Sequence, residues 1–259
     1  MRGFSFLIAV CAWLLPVGAM AGAWPQAPGA TQLIVSLEPG EAGRAYDASG
    51  DPTIPLTAWS ENNATLFIDH GVSQHFTITG KVNFQDYKTA TDRFSGLGSI
   101  ELGGRWTVHK ADDYVLAFGV SAEGLGKGRR NDFDTTARQG TDYDLRAYFG
   151  KSFRVRGVDA FVDLQAARHL RQYEAGQWRI DATLGLKPSA RWMVLAQVFS
   201  GETDRRTWGR AAWLNSQVGI VRNFGARQEM SLQLAARRTV AGENVPAVNA
   251  VVLSLWRNF

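Results

Sequence analysis

Residues 177–187, Gln-Trp-Arg-Ile-Asp-Ala-Thr-Leu-Gly-Leu-Lys, alternate between apolar side chains and polar or small ones. The apolar positions are Trp178, Ile180, Ala182, Leu184 and Leu186. Arg179, Asp181 and Lys187 occupy the other set of positions. Because successive side chains of a β-strand point to opposite faces, this period of two predicts a strand with one apolar face and one charged face.

The same alternation recurs along most of the chain, in segments of about 10 to 13 residues, with Phe161 an exception to it. A soluble β-sandwich would pack the apolar faces together. The length of these segments, however, matches the roughly 9 to 11 residues that a tilted strand needs to cross a bilayer. We expect about twelve strands, at 31–38, 60–70, 75–86, 96–109, 113–123, 141–154, 157–170, 176–187, 190–201, 211–224, 227–238 and 247–259. The fold class is therefore all-β, a transmembrane antiparallel up-and-down β-barrel.

The connections between these strands alternate between tight and long, as in outer-membrane barrels, where the tight turns are periplasmic. Tight turns are expected at 71–74, 110–112, 155–156, 188–189 and 225–226, and longer loops at 39–59, 87–95, 124–140, 171–175, 202–210 and 239–246. An even number of strands would place both ends of the barrel chain on the periplasmic side.

Large aromatic residues are expected near the two ends of these strands, where amphipathic rings sit at the membrane interfaces. The predicted aromatic girdle consists of Phe84, Trp106, Tyr114, Phe153, Trp178, Trp192 and Trp213. A soluble barrel would have no reason to place its aromatic rings in two bands.

Residues 1–21 have the layout of a cleavable signal peptide, with a basic start, an apolar run at 4–15 and the small-residue motif Ala19-Met20-Ala21. Such signals are removed after an Ala-x-Ala motif, which predicts cleavage before Gly22. The expected organisation is a signal peptide followed by one outer-membrane β-barrel over residues 22–259, and the expected location is the cell outer membrane.

Two alternatives for this leader fit less well. A membrane-anchor helix needs a longer apolar run, and a lipoprotein signal needs a small residue where the bulky Val10 precedes Cys11. Cys11 is the only cysteine, so the mature chain would contain no disulfide and no thiol chemistry.

The charge of the chain argues against nucleic-acid binding. The formal net charge is +4, and basic and acidic residues are intermixed rather than gathered on one basic face. We expect outer-membrane lipid and lipopolysaccharide as surroundings. Arg129 and Arg130, in the long loop, could meet anionic lipopolysaccharide, although a solvated loop is the favoured interpretation.

The C-terminal residues 249–259, Asn-Ala-Val-Val-Leu-Ser-Leu-Trp-Arg-Asn-Phe, resemble the closing strand of bacterial outer-membrane proteins, which ends in Phe after alternating apolar residues. The residues that keep this register are Val251, Leu253, Leu255 and Phe259. Arg257 departs from it, at a place where an apolar residue is usual and where an arginine can reach lipid phosphates. The resemblance implies recognition by the barrel-assembly machinery.

Residues 22–36, Gly-Ala-Trp-Pro-Gln-Ala-Pro-Gly-Ala-Thr-Gln-Leu-Ile-Val-Ser, are similar to the start of two groups of poorly characterised barrels. One group contains transporters of the phenol-degradation type, and the other is associated with exopolysaccharide adhesin production. This resemblance implies the class of protein and no particular substrate.

The polar faces of the strands would line the lumen. The expected lumen residues are Lys81, Asn83, Glu101, Arg105, Asp144, Arg146, Asp163, Gln165, Arg179, Asp181, Gln217 and Gln233. Because neither sign of charge predominates, we expect a narrow channel or transporter for small solutes with no strong ion selectivity. The alternative is a non-enzymatic structural or surface barrel that supports envelope or exopolysaccharide and adhesin assembly, with opposite charges filling the lumen.

The four histidines give no sign of an enzyme. A lipid hydrolase needs a Ser and His pair near the outer leaflet, but His70, His75 and His109 fall by periplasmic turns and His169 has no predicted serine beside it on a neighbouring strand. His70 and His75 with Asp69 flank one tight turn, where polar residues are expected without a metal. We expect no catalytic site, no metal and no cofactor.

Overall fold

The computed structural model describes residues 22–125, 140–205 and 209–259, and in them the chain forms one closed antiparallel β-barrel of twelve strands. The strands are β1 Thr31–Ala45, β2 Ile54–Gly71, β3 Phe76–Lys88, β4 Arg93–Lys110, β5 Tyr114–Leu125, β6 Thr141–Val155, β7 Val158–Leu170, β8 Gln177–Ser189, β9 Trp192–Thr203, β10 Ala212–Phe224, β11 Met230–Glu243 and β12 Asn249–Asn258. The predicted fold class is confirmed. No helix in this described part is long and apolar enough to cross a membrane.

Every strand pairs with its neighbours in the sequence, and β1 and β12 close the ring. At the seam Gln32 lies opposite Asn258, and the Phe259 amide donates to the Thr31 carbonyl at 2.9 Å. Closure gives the main chain of each strand two partners, so the sheet has no free edge. We call the end with Thr31 and Phe259 the terminal end and the opposite end the loop end.

Short turns connect the strands at the terminal end. Between β6 and β7 only Arg156 and Gly157 turn the chain, with φ angles of 51° and 84°. Two successive positive φ angles match the right-handed twist of a two-residue hairpin. Tight turns are periplasmic in outer-membrane barrels, and the terminal end is the end that carries them here.

The predicted loop at 39–59 is too long, because β1 continues to Ala45 and β2 begins at Ile54. In the barrel Pro39 lies opposite Asn62 of β2, while the pairing of β1 with β12 passes from Leu37 directly to Gly40. A proline without an N–H is tolerated where one ladder lapses.

The outer wall of the barrel is apolar. Large hydrophobic side chains at alternate strand positions are exposed, among them Leu102, Ile180 and Val218. In a barrel that spans a bilayer these side chains face lipid, and their exposure is the expected outcome of the alternation. The rings of Phe84, Trp106, Phe153, Trp178 and Trp192 point outwards in the same way.

The placement of Trp213 in the girdle is wrong. Leu214 and Val218 of β10 are exposed on the outer wall, so the odd-numbered Trp213 faces inwards. It packs against Tyr46, Ala211 and Val245 at the loop end. The sequence Ala212-Trp213-Leu214 is apolar on both faces, so its composition does not indicate which face meets lipid.

Candidate functional site: the barrel lumen

The lumen takes the side chains that alternate with the apolar outer wall. All twelve predicted lumen residues point into it, where they line cavities, are buried or bond to other inward side chains. Gln217, for example, accepts a hydrogen bond from Arg237 at 2.9 Å and donates one to Gln197 at 2.8 Å. The strand register therefore produces a polar interior along much of the barrel.

The charged groups of the lumen pair around the wall rather than across it. Lys81 Nζ lies 2.9 Å from Glu101 on the next strand, and Arg237 Nη1 lies 2.7 Å from Glu38, two strands away. The ion pairs of Arg146 and Arg105 also run along the wall. These ion pairs do not cross the lumen.

Arg146 and Arg105 are held by carboxylates that lie no more than two strands away. Arg146 reaches Asp144 at 3.1 Å and Asp181 at 2.7 Å. Arg105, almost fully buried, reaches Asp69 at 2.9 Å. Charges withdrawn from water this far need such partners, since an isolated ion in the interior is strongly unfavourable.

A polar cavity of about 450 Å³ occupies the loop-end half of the lumen. Its lining combines amides and charges with two tryptophans; the side chains include Trp59, Trp213, Asn63, Asn83, Asn215, Gln85, Glu38, Glu61, Lys81, Arg179 and Arg237. A second cavity of about 140 Å³ shares Lys81, Asn83 and Arg179 with it. Amide and charged groups beside indole rings suit a small solute that carries both polar edges and an apolar face.

The terminal-end half of the lumen contains an apolar layer. It is formed by inward-facing Phe161, Met193, Leu195, Val221 and Trp256, together with Trp24 and Ile34. This layer was not predicted, because the alternation of apolar and polar residues predicts polar side chains inside the barrel. Phe161, the exception in its strand, was the one signal of it.

The residues before β1 fold into the barrel and complete this layer. We call residues 22–30 the N-terminal segment. The Trp24 ring meets Phe161 edge-on, with 5.7 Å between ring centroids, and the Trp24 carbonyl accepts a hydrogen bond from Arg105 at 3.1 Å. Ala23 is completely buried. The segment and the apolar layer therefore pack together inside the barrel at its terminal end.

Two glycines make room for this segment. A Cβ on Gly150 would lie 2.7 Å from the Trp24 ring, and a Cβ on Gly71 would lie 2.1 Å from the Ala27 carbonyl oxygen. Both distances are shorter than real Cβ contacts. The barrel wall is therefore shaped to accept the N-terminal segment, which indicates a built binding site for it.

His169 sits near the loop end between carboxylates. Its Nε2 lies 3.3 Å from Asp142 and 3.9 Å from Glu123, and its Nδ1 lies 3.6 Å from Asp144. Glu123, Asp142 and His169 could offer ligand atoms to a metal, but Arg171 Nε already lies 3.7 Å from Asp142 and supplies positive charge there. This grouping could not be predicted from the sequence, because its members come from three strands.

The surroundings of the histidines concern the two activities considered from the sequence, lipid hydrolysis and metal binding. On the strands beside β7, Asp144 and Gln177 lie opposite His169, and neither is a serine. The nearby lumen serine Ser121 donates to Glu101 at 2.6 Å. His70 bonds to Thr31 outside the lumen at 2.9 Å, whereas Asp69 faces inwards to Arg105, so these two do not share a site.

Arg129 and Arg130 lie outside the described residues, so their role in the outer loop stays a prediction. The described barrel nevertheless defines a class. It is a twelve-stranded outer-membrane-type β-barrel with a polar lumen and an apolar layer at the terminal end.

Solved structures share this architecture. An outer-membrane channel from Pseudomonas putida F1 matches with a TM-score of 0.71 and 16% identity, over 93% of this chain and 99% of that chain. The KdgM porin matches with a TM-score of 0.52 and 7% identity, over 87% and 99% of the respective chains. The translocator domain of the autotransporter NalP from Neisseria meningitidis matches with a TM-score of 0.52 and 13% identity, over 88% of each chain.

No protein-family model matches the sequence, and no curated protein sequence matches it significantly. Identities of 7 to 16% show a common fold alone. Because the same barrel serves channels, porins and translocator domains, function has to be argued from the lumen.

Proposed function

We propose that this protein is a narrow outer-membrane channel for small polar solutes, closed at its periplasmic end by its own N-terminal segment. The observation that carries the proposal is the polar cavity of about 450 Å³ left open because the lumen charges pair along the wall. A structural barrel filled by its side chains would retain no such space. Similarity in fold to an outer-membrane channel supports this function.

The size and lining of the cavity define the solute class. Its volume lies near the lower part of the range of about 300 to 1,000 Å³ found for small-molecule sites. Glu38 and Glu61 face it together with Lys81, Arg179 and Arg237, so neither sign of charge predominates. We expect weak ion selectivity and passage of small polar molecules, with Trp59 and Trp213 providing contact to their apolar faces.

Passage to the periplasm requires the N-terminal segment to leave the lumen. The contacts of the segment lie outside the strand ladder, so its displacement leaves the ladder intact: the Gln26 backbone amide donates to the Thr77 hydroxyl at 3.3 Å, and the Gly29 amide donates to the Gly71 carbonyl at 2.7 Å. We infer a closed state in which the segment is docked and an open state in which it is undocked.

A disulfide lock tests this proposal. Because Cys11 is the only cysteine of the sequence, the double variant Gln26→Cys/Thr77→Cys adds the only cysteine pair to the mature chain, between the N-terminal segment and β3. We expect single-channel conductance in planar bilayers to be abolished by oxidation and restored by a reducing agent. The single variant Gln26→Cys is the matched control, and its conductance should not respond to either treatment.

The outcomes separate the two functions weighed from the sequence. Conductance that the lock switches supports the channel. A folded, heat-modifiable barrel that conducts neither before nor after deletion of residues 23–28 would overturn the channel and favour a structural or surface barrel. Conductance that persists in the oxidised double variant would overturn the gating role of the segment.

A further inference from the structure

Asp163 is a buried lumen carboxylate without an ionic partner in the described part of the chain. Its side chain is 3% exposed. Gln165 donates to Oδ1 at 2.8 Å, and the Ala23 amide donates to Oδ2 at 2.5 Å. Both donors are neutral. Arg105, which lies near enough to act on Asp163 through space, already pairs with Asp69.

This isolation is unusual within the same lumen. Asp69, Asp144 and Asp181 each lie within 3.1 Å of an arginine nitrogen. A carboxylate removed from water needs a charged partner as well as hydrogen bonds to offset the loss of its hydration. Asp163 therefore has the chemistry of a receptor for a small cation that enters from the N-terminal segment.

Gly22 brings the chain directly against this carboxylate. A Cβ at Gly22 would lie 2.2 Å from Asp163 Oδ2, so only glycine fits there. The Gly22 nitrogen is three covalent bonds from the Ala23 nitrogen, which places it within about 4 Å of that hydrogen-bonded atom. Gly22 is also the residue that follows the Ala19-Met20-Ala21 motif.

We propose that Asp163 is the binding site for the α-ammonium group that signal-peptide cleavage creates on Gly22. Hydrolysis of the Ala21–Gly22 peptide bond consumes one water and leaves a carboxylate on Ala21 and an amine on Gly22. The amine takes up a proton at neutral pH, since a free α-amine has a pKa of about 8. The ammonium group then pairs with Asp163 and pins the N-terminal segment in the lumen.

This pairing makes docking of the segment a consequence of processing. A neutral peptide nitrogen at Gly22 offers Asp163 no charge, whereas the cleaved end offers a positively charged ammonium group. The inference concerns the N-terminus alone, and it holds or fails whether or not solutes pass through the barrel.

Chemical accessibility of the N-terminus tests the proposal. The protein is expressed with its leader and purified from outer membranes, and its intact mass is used to check that it begins at Gly22. An amine-reactive acylating reagent is then applied at neutral pH, and the modified N-terminal peptide is quantified by mass spectrometry. Asp163→Asn keeps the shape of the side chain and removes its charge, so we expect labelling to rise at least about tenfold.

Two further variants make the result specific. Asp159→Asn removes a charge from the same strand at an exposed site where Asp159 pairs with Arg154, and it should leave N-terminal labelling as in the wild type. A variant with one alanine inserted after Ala21 moves the ammonium about 3.8 Å along the chain while Asp163 is retained. It should label as readily as Asp163→Asn. Heat-modifiability on gels establishes that each barrel is folded.

The proposal is overturned if the mature chain does not begin at Gly22. It is equally overturned if the wild type and the folded Asp163→Asn barrel label at the same rate. Because neither readout requires conductance, a silent barrel with a protected N-terminus would refute the channel and leave the ammonium site standing. A conducting barrel with an N-terminus as reactive as that of Asp163→Asn would do the reverse.

Discussion

Trp24→Ala is the most informative single perturbation of the closed state. The Trp24 ring packs edge-on against Phe161 at an interplanar angle of 88° and contacts the apolar layer. Truncation of a buried Trp to Ala destabilises by about 3 to 5 kcal/mol. Because Trp24 is only partly buried, we take the lower end, about 3 kcal/mol, of which about 1 kcal/mol belongs to the edge-to-face contact.

This loss acts on docking of the N-terminal segment, because Trp24 lies outside the strand ladder. At 1.36 kcal/mol per tenfold change, about 3 kcal/mol raises the ratio of undocked to docked segment roughly 150-fold. Single-channel recordings should show the open probability rise by that factor, up to saturation. A double-mutant cycle with Phe161→Leu should give a coupling of about 0.5 to 1.5 kcal/mol.

Trp106→Ala is the matched control, since Trp106 is 59% exposed on the outer wall, where its ring lies beside that of Phe76. Its open probability should equal that of the wild type. The reasoning is refuted if a folded Trp24→Ala barrel opens within about threefold of the wild type, which corresponds to less than about 0.7 kcal/mol.

Three further predictions concern other parts of the barrel. Gly157→Val should lower the free energy of unfolding by at least about 1 kcal/mol, measured by urea titration in detergent, because a φ of 84° suits glycine; an unchanged midpoint would contradict this. We expect the protein in detergent to hydrolyse neither esters nor amides. Hydrolysis by the wild type that is lost in His169→Ala would contradict this and show that the protein is an enzyme. The Thr53 hydroxyl and backbone amides hold the pKa of Asp47 below its usual 3.8. Because folding lowers this pKa, the contacts of Asp47 in the loop should persist at pH values above 3.8 and disappear as the pH falls through the lowered value. The Thr53 methyl resonance should report this transition in the wild type. The same resonance should not change in Asp47→Asn.

The strand count and most strand positions follow from the sequence because the lipid face imposes a period of two on every strand. Residues 177–187 show this, and β8 is found at Gln177–Ser189. The extent of the loop-end strands does not follow. Beyond the bilayer the lipid no longer selects apolar side chains, so the alternation fades around Pro39 while the hydrogen-bonded ladder continues to Ala45.

The lumen residues could be predicted in part, because the alternation that marks outward positions also marks inward ones. Polar residues between apolar ones, such as Arg179, identify inward positions. Runs that are apolar on both faces, such as Met193-Val194-Leu195, hide them, and two of these side chains form the apolar layer. The N-terminal segment has no period at all, so only three-dimensional contacts reveal that Trp24 enters the barrel.

The seam between the first and last strands has a consequence for the order of assembly. Gln32 and Asn258, bonded there at 3.0 Å, are 226 positions apart in the chain. The entropy lost in closing a loop grows with its length, so a contact this distant forms late unless a catalyst holds the ends together. Ile34 and Trp256 flank this seam and also belong to the apolar layer that receives Trp24. The receptor for the N-terminal segment is therefore complete only once the ring has closed, and docking of the segment becomes the last step of maturation and a reporter of it.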